Sequence, residues 1–195
     1  MINRWEDLEE LLVAEASEDL RDSGEVRPAL SAFRGDDLLF LAWLRPFATG
    51  AYADPLIELC ALAMPLDADR LALSISGRVW SLDDPIPPVT EGADLRQRAL
   101  VVHVVDGAGD TLQSHSAIHP YDLSHGDVSW AEPRRLEGGD GWICGALEIA
   151  VRDRARLRAD AGEIRKQAAR VDRLGHELYL PPEILLELLP AGLGR

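Results

Sequence analysis

The stretch Arg98-Ala99-Leu100-Val101-Val102-His103-Val104-Val105-Asp106, followed by Gly107-Ala108-Gly109-Asp110, decides the fold. Four valines in nine residues favour a pleated strand, because β-branched side chains fit its surface. The Gly- and Asp-rich segment after it is a turn signal, so a hairpin is expected, with its return strand over residues 111–118. An antiparallel sheet therefore forms the centre of the expected structure.

The flanking segments add to that sheet. Arg70 to Ser76 alternates, with Leu71, Leu73 and Ile75 on one side. Ser76-Gly77 reads as a turn, and residues 78–82 as a second strand. Residues 37–44, Asp-Leu-Leu-Phe-Leu-Ala-Trp-Leu, form a short apolar run expected as a strand buried on both faces. Gly126 to Trp130 is expected as a short edge strand. Residues 25–35 read as a connector, and residues 83–96, with Pro85, Pro87 and Pro88, as a surface loop. Within that part of the chain, Trp80 to Thr90 has the proline spacing of an extended epitope.

Helices are expected at both ends. Asn3 and Glu6 fit a capping box, and Trp5, Leu8, Leu11, Leu12 and Ala16 follow helical spacing towards Asp22-Ser23-Gly24. Asp54-Pro55 predicts a crossover helix to about Met64, with Asp54 as N-cap. A last helical region begins near Trp142. Within it Leu157, Ala161, Ile164, Ala168, Val171, Gly175 and Leu178 recur at alternating spacings of four and three, the pattern of a helix–helix seam. Pro181-Pro182 ends it, and residues 183–189 form a short final helix. The expected class is α+β: a mostly antiparallel sheet with an N-terminal helix, one crossover helix and a C-terminal helical pair. The division is an acidic body over residues 1–147 and a helical segment over residues 148–195, packed on the same single domain.

Charge narrows the function classes. The 195 residues carry 34 acidic and 20 basic side chains, a net charge of −14. Residues 1–147 hold 11 basic groups against 26 acidic ones, whereas residues 148–175 hold 8 against 5. Such a body repels nucleic acid and anionic membrane, so neither is expected as a partner. No apolar run reaches the roughly 18 residues of a membrane span. The first residues do not read as a signal peptide, and Cys60 and Cys144 are too few for a disulfide framework. Reducing cytoplasm is the expected compartment.

Two kinds of site emerge. Four of the five histidines, His103, His115, His119 and His125, lie close to Asp106, Asp110, Asp122 and Asp127. Imidazole and carboxylate together suit zinc or iron. One part of this cluster, His115-Ser116-Ala117-Ile118-His119-Pro120 with Ser124-His125-Gly126-Asp127, resembles the JAB/MPN-type zinc isopeptidases. That resemblance implies a metal on His115, His119 and Asp127, with Glu58 as general base. It departs from the family pattern by two residues inserted between the histidines. On a regular strand residues four apart lie ~13 Å from one another, too far to share one zinc ion. A second arrangement uses the hairpin: if Asp106 pairs with Asp110, His103 and His115 become diagonal neighbours on one face, and a slip of one residue separates them.

The other site is the helical seam. Leu157, Ile164, Val171 and Leu178 would mediate self-association as a homodimer, or docking to a protein partner. The expected function is thus a non-enzymatic interaction module without a resident cofactor. The alternative is a metal-dependent hydrolase holding zinc in the 103–127 cluster.

Overall fold

The computed structural model describes residues 5–48, 50–80, 85, 94, 96–138, 142–156 and 160–188. The predicted hairpin is present as two neighbouring strands of one sheet. Strands β1 (Ala29–Arg34), β2 (Asp37–Trp43), β3 (Arg70–Val79), β4 (Gln97–Asp106), β5 (Gln113–Ser124), β6 (Asp127–Trp130), β7 (Arg134–Glu137) and β8 (Glu177–Tyr179) make one sheet. Their order is β6-β5-β4-β3-β1-β2-β8, with β7 also paired to β5, and every pairing is antiparallel. The helices are α1 (Trp5–Ser23), α2 (Ala53–Ala63), α3 (Trp142–Asp153), α4 (Ala161–Arg173) and α5 (Pro182–Leu188). This is the α+β class expected from the sequence.

Strand β4 organises both cores. Leu100, Val102 and Val104 point to the face covered by α1, where Leu8, Leu12, Ala16 and Leu20 recur every fourth residue along the helix. Val101 and Val105 point to the opposite face. There they belong to one core with Leu56, Leu59 and Leu62 of α2, Leu147, Ala150 and Val151 of α3, and Ile164 and Val171 of α4. A strand buried on both faces reads as a continuous apolar run, which is why residues 98–106 stand out in the sequence.

Several expectations change. Residues 29–34, read as part of a connector, form β1 and pair with both β2 and β3. The chain turns into β2 through Gly35-Asp36, where Gly35 adopts φ of 58°, a left-handed conformation open to glycine. Ser76-Gly77 is not a turn, because β3 continues through it. Helix α2 starts at Ala53, with Tyr52 rather than Asp54 at its N-cap. The expected capping residue Asn3, and most of the expected epitope at 80–90, lie outside the described residues.

The largest change concerns the helix expected over 157–178. Helix α4 begins only after Asp160, whose side chain accepts from the Glu163 amide, the geometry of a polar N-cap. It ends at Leu174, and Gly175, at φ of 95°, turns the chain into β8. Leu178 therefore lies in a strand paired to Ala42, not on a helix. Ile164 and Val171, expected at a partner interface, are buried in this chain's own core, and Leu178 packs against it. Leu157 lies outside the described residues.

The hairpin turn is packed tightly against α3. A Cβ placed on Gly107 would meet Val151 Cγ1 at 2.5 Å, Arg154 Nη1 at 3.1 Å and Leu112 Cδ1 at 3.2 Å. The Gly107→Ala variant should therefore lose about 1–3 kcal/mol to overpacking. Urea unfolding measures this, and unchanged stability would mean that Val151 yields freely.

Candidate functional site

The sheet separates the histidines. In the observed register Asp106 faces Gln113, so His103 pairs with Ser116 and His115 with Val104. The register differs by three residues from the one that would pair Asp106 with Asp110. An odd shift sends the two imidazoles to opposite faces. The hairpin metal site of His103 and His115 is thereby overturned. His115 stacks on Trp5 of α1, with ring centroids 5.3 Å apart.

The isopeptidase-like arrangement is not assembled either. His115 and His119 share a face of a regular strand, four residues apart. Asp127 opens β6 after the tight turn His125-Gly126, where both residues have positive φ, 56° and 88°, as two-residue hairpins favour. Among the described residues, no group of three or more His, Cys, Asp or Glu side chains could hold a metal ion.

Two of the candidate side chains, His119 and Glu58, make their contacts within the fold. His119 Nε2 stands 3.0 Å from Glu9 Oε1 without hydrogen-bond geometry, and Arg135 binds Glu9 with two N–H donors at 3.0 and 3.2 Å. Burial lowers the His119 pKa, with Arg135 acting in the same direction and Glu9 against it. Glu58 accepts from Arg45 Nε at 2.8 Å, Arg45 Nη2 at 3.0 Å and His176 Nε2 at 2.8 Å. The Arg45 hydrogen bond above all holds Glu58 below its usual carboxylate range. His176 Nδ1 accepts the Arg45 amide at 3.2 Å, which leaves Nε2 to donate. Glu58 is an anchor between the β2–α2 connection and the α4–β8 corner, and its lowered pKa makes it a weaker base than a free carboxylate.

Cys144 lies 3.4 Å from His103 Nδ1, which also meets Ser116 Oγ at 2.8 Å. A thiol beside an imidazole resembles a nucleophile and its base. Here Cys144 is 1% exposed and Ser116 4%, and burial lowers the His103 pKa, favouring neutral imidazole. The contact fastens α3 to β4 and β5. Cys60, in α2, has its thiol pushed up to about 12 by burial, which makes it inert.

The open surface lies on the other side of the sheet. Helix α1 covers β4 and its neighbours but leaves a groove along β1, β2 and β8. Two hollows form it, of about 240 Å³ and about 140 Å³, and both are lined by Leu12 and Glu15. The floor is Ala29, Ser31, Phe33, Leu38, Leu41 and Trp43. Tyr179, opposite Leu41 in β8, is 48% exposed, and Leu11 on the helix wall is 45% exposed. Ile57, Leu136, Ile149 and Leu186 are also exposed and, like Tyr179, line neither hollow.

Acids rim the groove: Glu15, Glu18, Asp19 and Asp22 from α1, and Asp36 from the β1–β2 turn. Arg27 stands over Trp43 at 4.6 Å, already shared between Asp19 and Glu177. The Glu15 carboxyl is raised by burial first, then by Asp19 and Glu18. Sequence reasoning missed this groove because half of its floor is β1, read as a connector. The available signal was Leu11, which sits off the buried Leu8–Leu12–Ala16–Leu20 stripe beside a run of acids.

Comparison with known protein families, with curated proteins and with solved structures finds no match for this chain. What the described residues define is a class: an α+β protein with a two-faced antiparallel sheet and an acid-rimmed apolar groove. No helix among them is long and apolar enough to cross a membrane.

Two pH effects follow. For His103 and His119 the folded state favours neutral imidazole, so the unfolded chain binds more protons below the ordinary value of 6.5. Stability should fall as pH drops from about 6.5, and the His103→Gln/His119→Gln double variant should show a flatter melting-temperature profile between pH 7 and pH 5. Glu15 has the opposite sign: its folded pKa is raised, so ionisation costs stability as pH rises. Glu15→Gln should melt above the parent at pH 7, with the gap closing near pH 4. A gap independent of pH would assign the effect to something other than this carboxylate.

Proposed function

We propose that this chain is a non-enzymatic protein-interaction module whose groove along α1 takes a basic, amphipathic segment of another protein. The carrying observation is an apolar strip in which Leu11 and Tyr179 are exposed and Leu38, Leu41 and Trp43 half-buried, beside a wall of carboxylates. Apolar floors supply affinity, and rim charges select and steer the partner.

Three physical arguments support the reading. Each hollow is smaller than the 300–1,000 Å³ typical of enclosed small-molecule sites, so they suit side chains presented by a larger partner. From Leu8 to Asp22 the groove wall runs about 21 Å at 1.5 Å per helical residue, room for about four turns of a docked helix laid as in helix-in-groove recognition. The crowded carboxylates around Glu15 gain most from an incoming cation, which favours Lys- or Arg-bearing segments over a second copy with the same net charge of −14. Self-association through α4, the alternative expected from the sequence, would have to use faces other than Ile164 and Val171, which the chain's own core occupies.

The test uses a synthetic helix of Leu and Lys at amphipathic spacing, with a Leu/Glu counterpart, titrated against the full chain by calorimetry. The Lys peptide should bind, the Glu peptide should not, and Leu41→Asp should weaken binding about tenfold, as loss of a central apolar contact does. Sedimentation should give one chain's mass of 21.4 kDa. Equal binding by the Leu41→Asp variant would remove the groove from the interaction. A dimer dissolved by Leu41→Asp would assign the groove to a second copy instead.

A further inference from the structure

In a chain with a net charge of −14, two arginines face each other across neighbouring strands. Arg78 of β3 pairs directly with Arg98 of β4, and Arg98 with Tyr121 of β5. All three lie on the α1 face of the sheet, beyond the end of α1, where they line a hollow of about 420 Å³ with Ser76, Gly77 and Glu25. Like charges directly opposite each other destabilise a sheet unless a counter-charge joins them.

Apart from Glu25, which lines the same hollow and acts on Tyr121, the described residues supply little counter-charge. Arg78 gives one N–H to the Arg96 carbonyl at 2.8 Å, and among the described residues it has one ion pair, with Asp94 at 3.9 Å from Nε. That carboxylate is held by Arg96 through bonds of 2.6 and 2.9 Å. The Arg98 side chain makes no hydrogen bond or ion pair among the described residues. Burial raises the Tyr121 pKa, so its phenol keeps the proton and can donate.

We infer that Arg78, Arg98, Ser76 and Tyr121 form an oxyanion-binding site for the phosphate of a small phosphate monoester. Two guanidiniums match a dianion: the Arg98 fork can offer parallel N–H donors to two oxygens, and Arg78 adds the N–H groups not engaged by the Arg96 carbonyl. The hydroxyls of Ser76 and Tyr121 are donors for the remaining oxygen. The hollow is far larger than a phosphate group and falls in the range of small-molecule sites, so the phosphate is one end of the ligand. The hollow adjoins the α1 groove at Val26, but its charge is opposite and the inference does not rest on the groove's role.

The probes are inorganic phosphate and glycerol phosphate, titrated against the full chain at low ionic strength while NMR follows the Arg Nε–H signals. Both should shift the Arg78 and Arg98 signals saturably. Arg98→Gln should weaken binding about tenfold or more, and Arg98→Lys, which keeps charge but loses the fork, by less. Arg98→Glu should abolish binding yet melt no lower than the parent, because it replaces a repulsive cross-strand pair by an attractive one. Leu41→Asp should leave the response unchanged. The absence of a saturable shift, or equal affinity in Arg98→Gln, would overturn the site. So would a lower melting temperature in Arg98→Glu, since it would show that Arg98 already holds a carboxylate within the fold.

Discussion

Burial of β4 on both faces is the constraint on which the rest of the structure depends. Leu100, Val102 and Val104 need cover from one side, and Val101 and Val105 from the other. Helix α1 alone meets the first demand, while α3 lies on the second face of β4, in one core with α2 and α4. That asymmetry has a consequence: one helix about 10 Å across cannot cover a seven-strand width at 4.8 Å per strand. The sheet face beside α1 is left open at β1, β2 and β8, and again beyond the helix end at Arg78 and Arg98. Both surface features follow from the same shortage of cover.

Charge placement sharpens the contrast. Where an ionised group is buried, the fold surrounds it. Glu9 has Arg135, Glu58 has Arg45 and His176, and Arg70 has Asp106 at 2.9 Å. A buried charge without a partner costs several kcal/mol, so pairing there is obligatory. At the open face no such rule operates. Acids crowd about Glu15, and two arginines oppose each other across β3 and β4. Neither arrangement is forced by the core.

Much of the architecture was legible in the residues. The valine-rich run at 98–106, the 3.6-residue stripe of α1 and the start of α3 at Trp142 each carry a strong local signal. Strand β1 does not, because Ala29-Leu30-Ser31-Ala32-Phe33 follows Pro28 and contains small residues that no single period claims. The seam at 157–178 misled for a related reason. Its alternating spacing is real, but Gly175 adopts a left-handed φ and the polar cap of Asp160 starts the helix late. A hydrophobic period reports a buried face and does not say whether the burial is within the chain or against a partner.

By itself the sequence determined the class of fold, the alternation of side chains across β4 and β5, and the acidic balance of the body. These depend on periodicity and composition, which are properties of neighbouring residues. Tertiary structure alone decided the register of β4 against β5, and with it the separation of His103 from His115. It also decided that Glu58 binds Arg45 and His176, that Ile164 and Val171 face inward, and that Arg78 meets Arg98. Each of these is a contact between residues distant in the chain. A one-residue change in loop closure moves every side chain of a strand to the other face, and no local pattern records that choice.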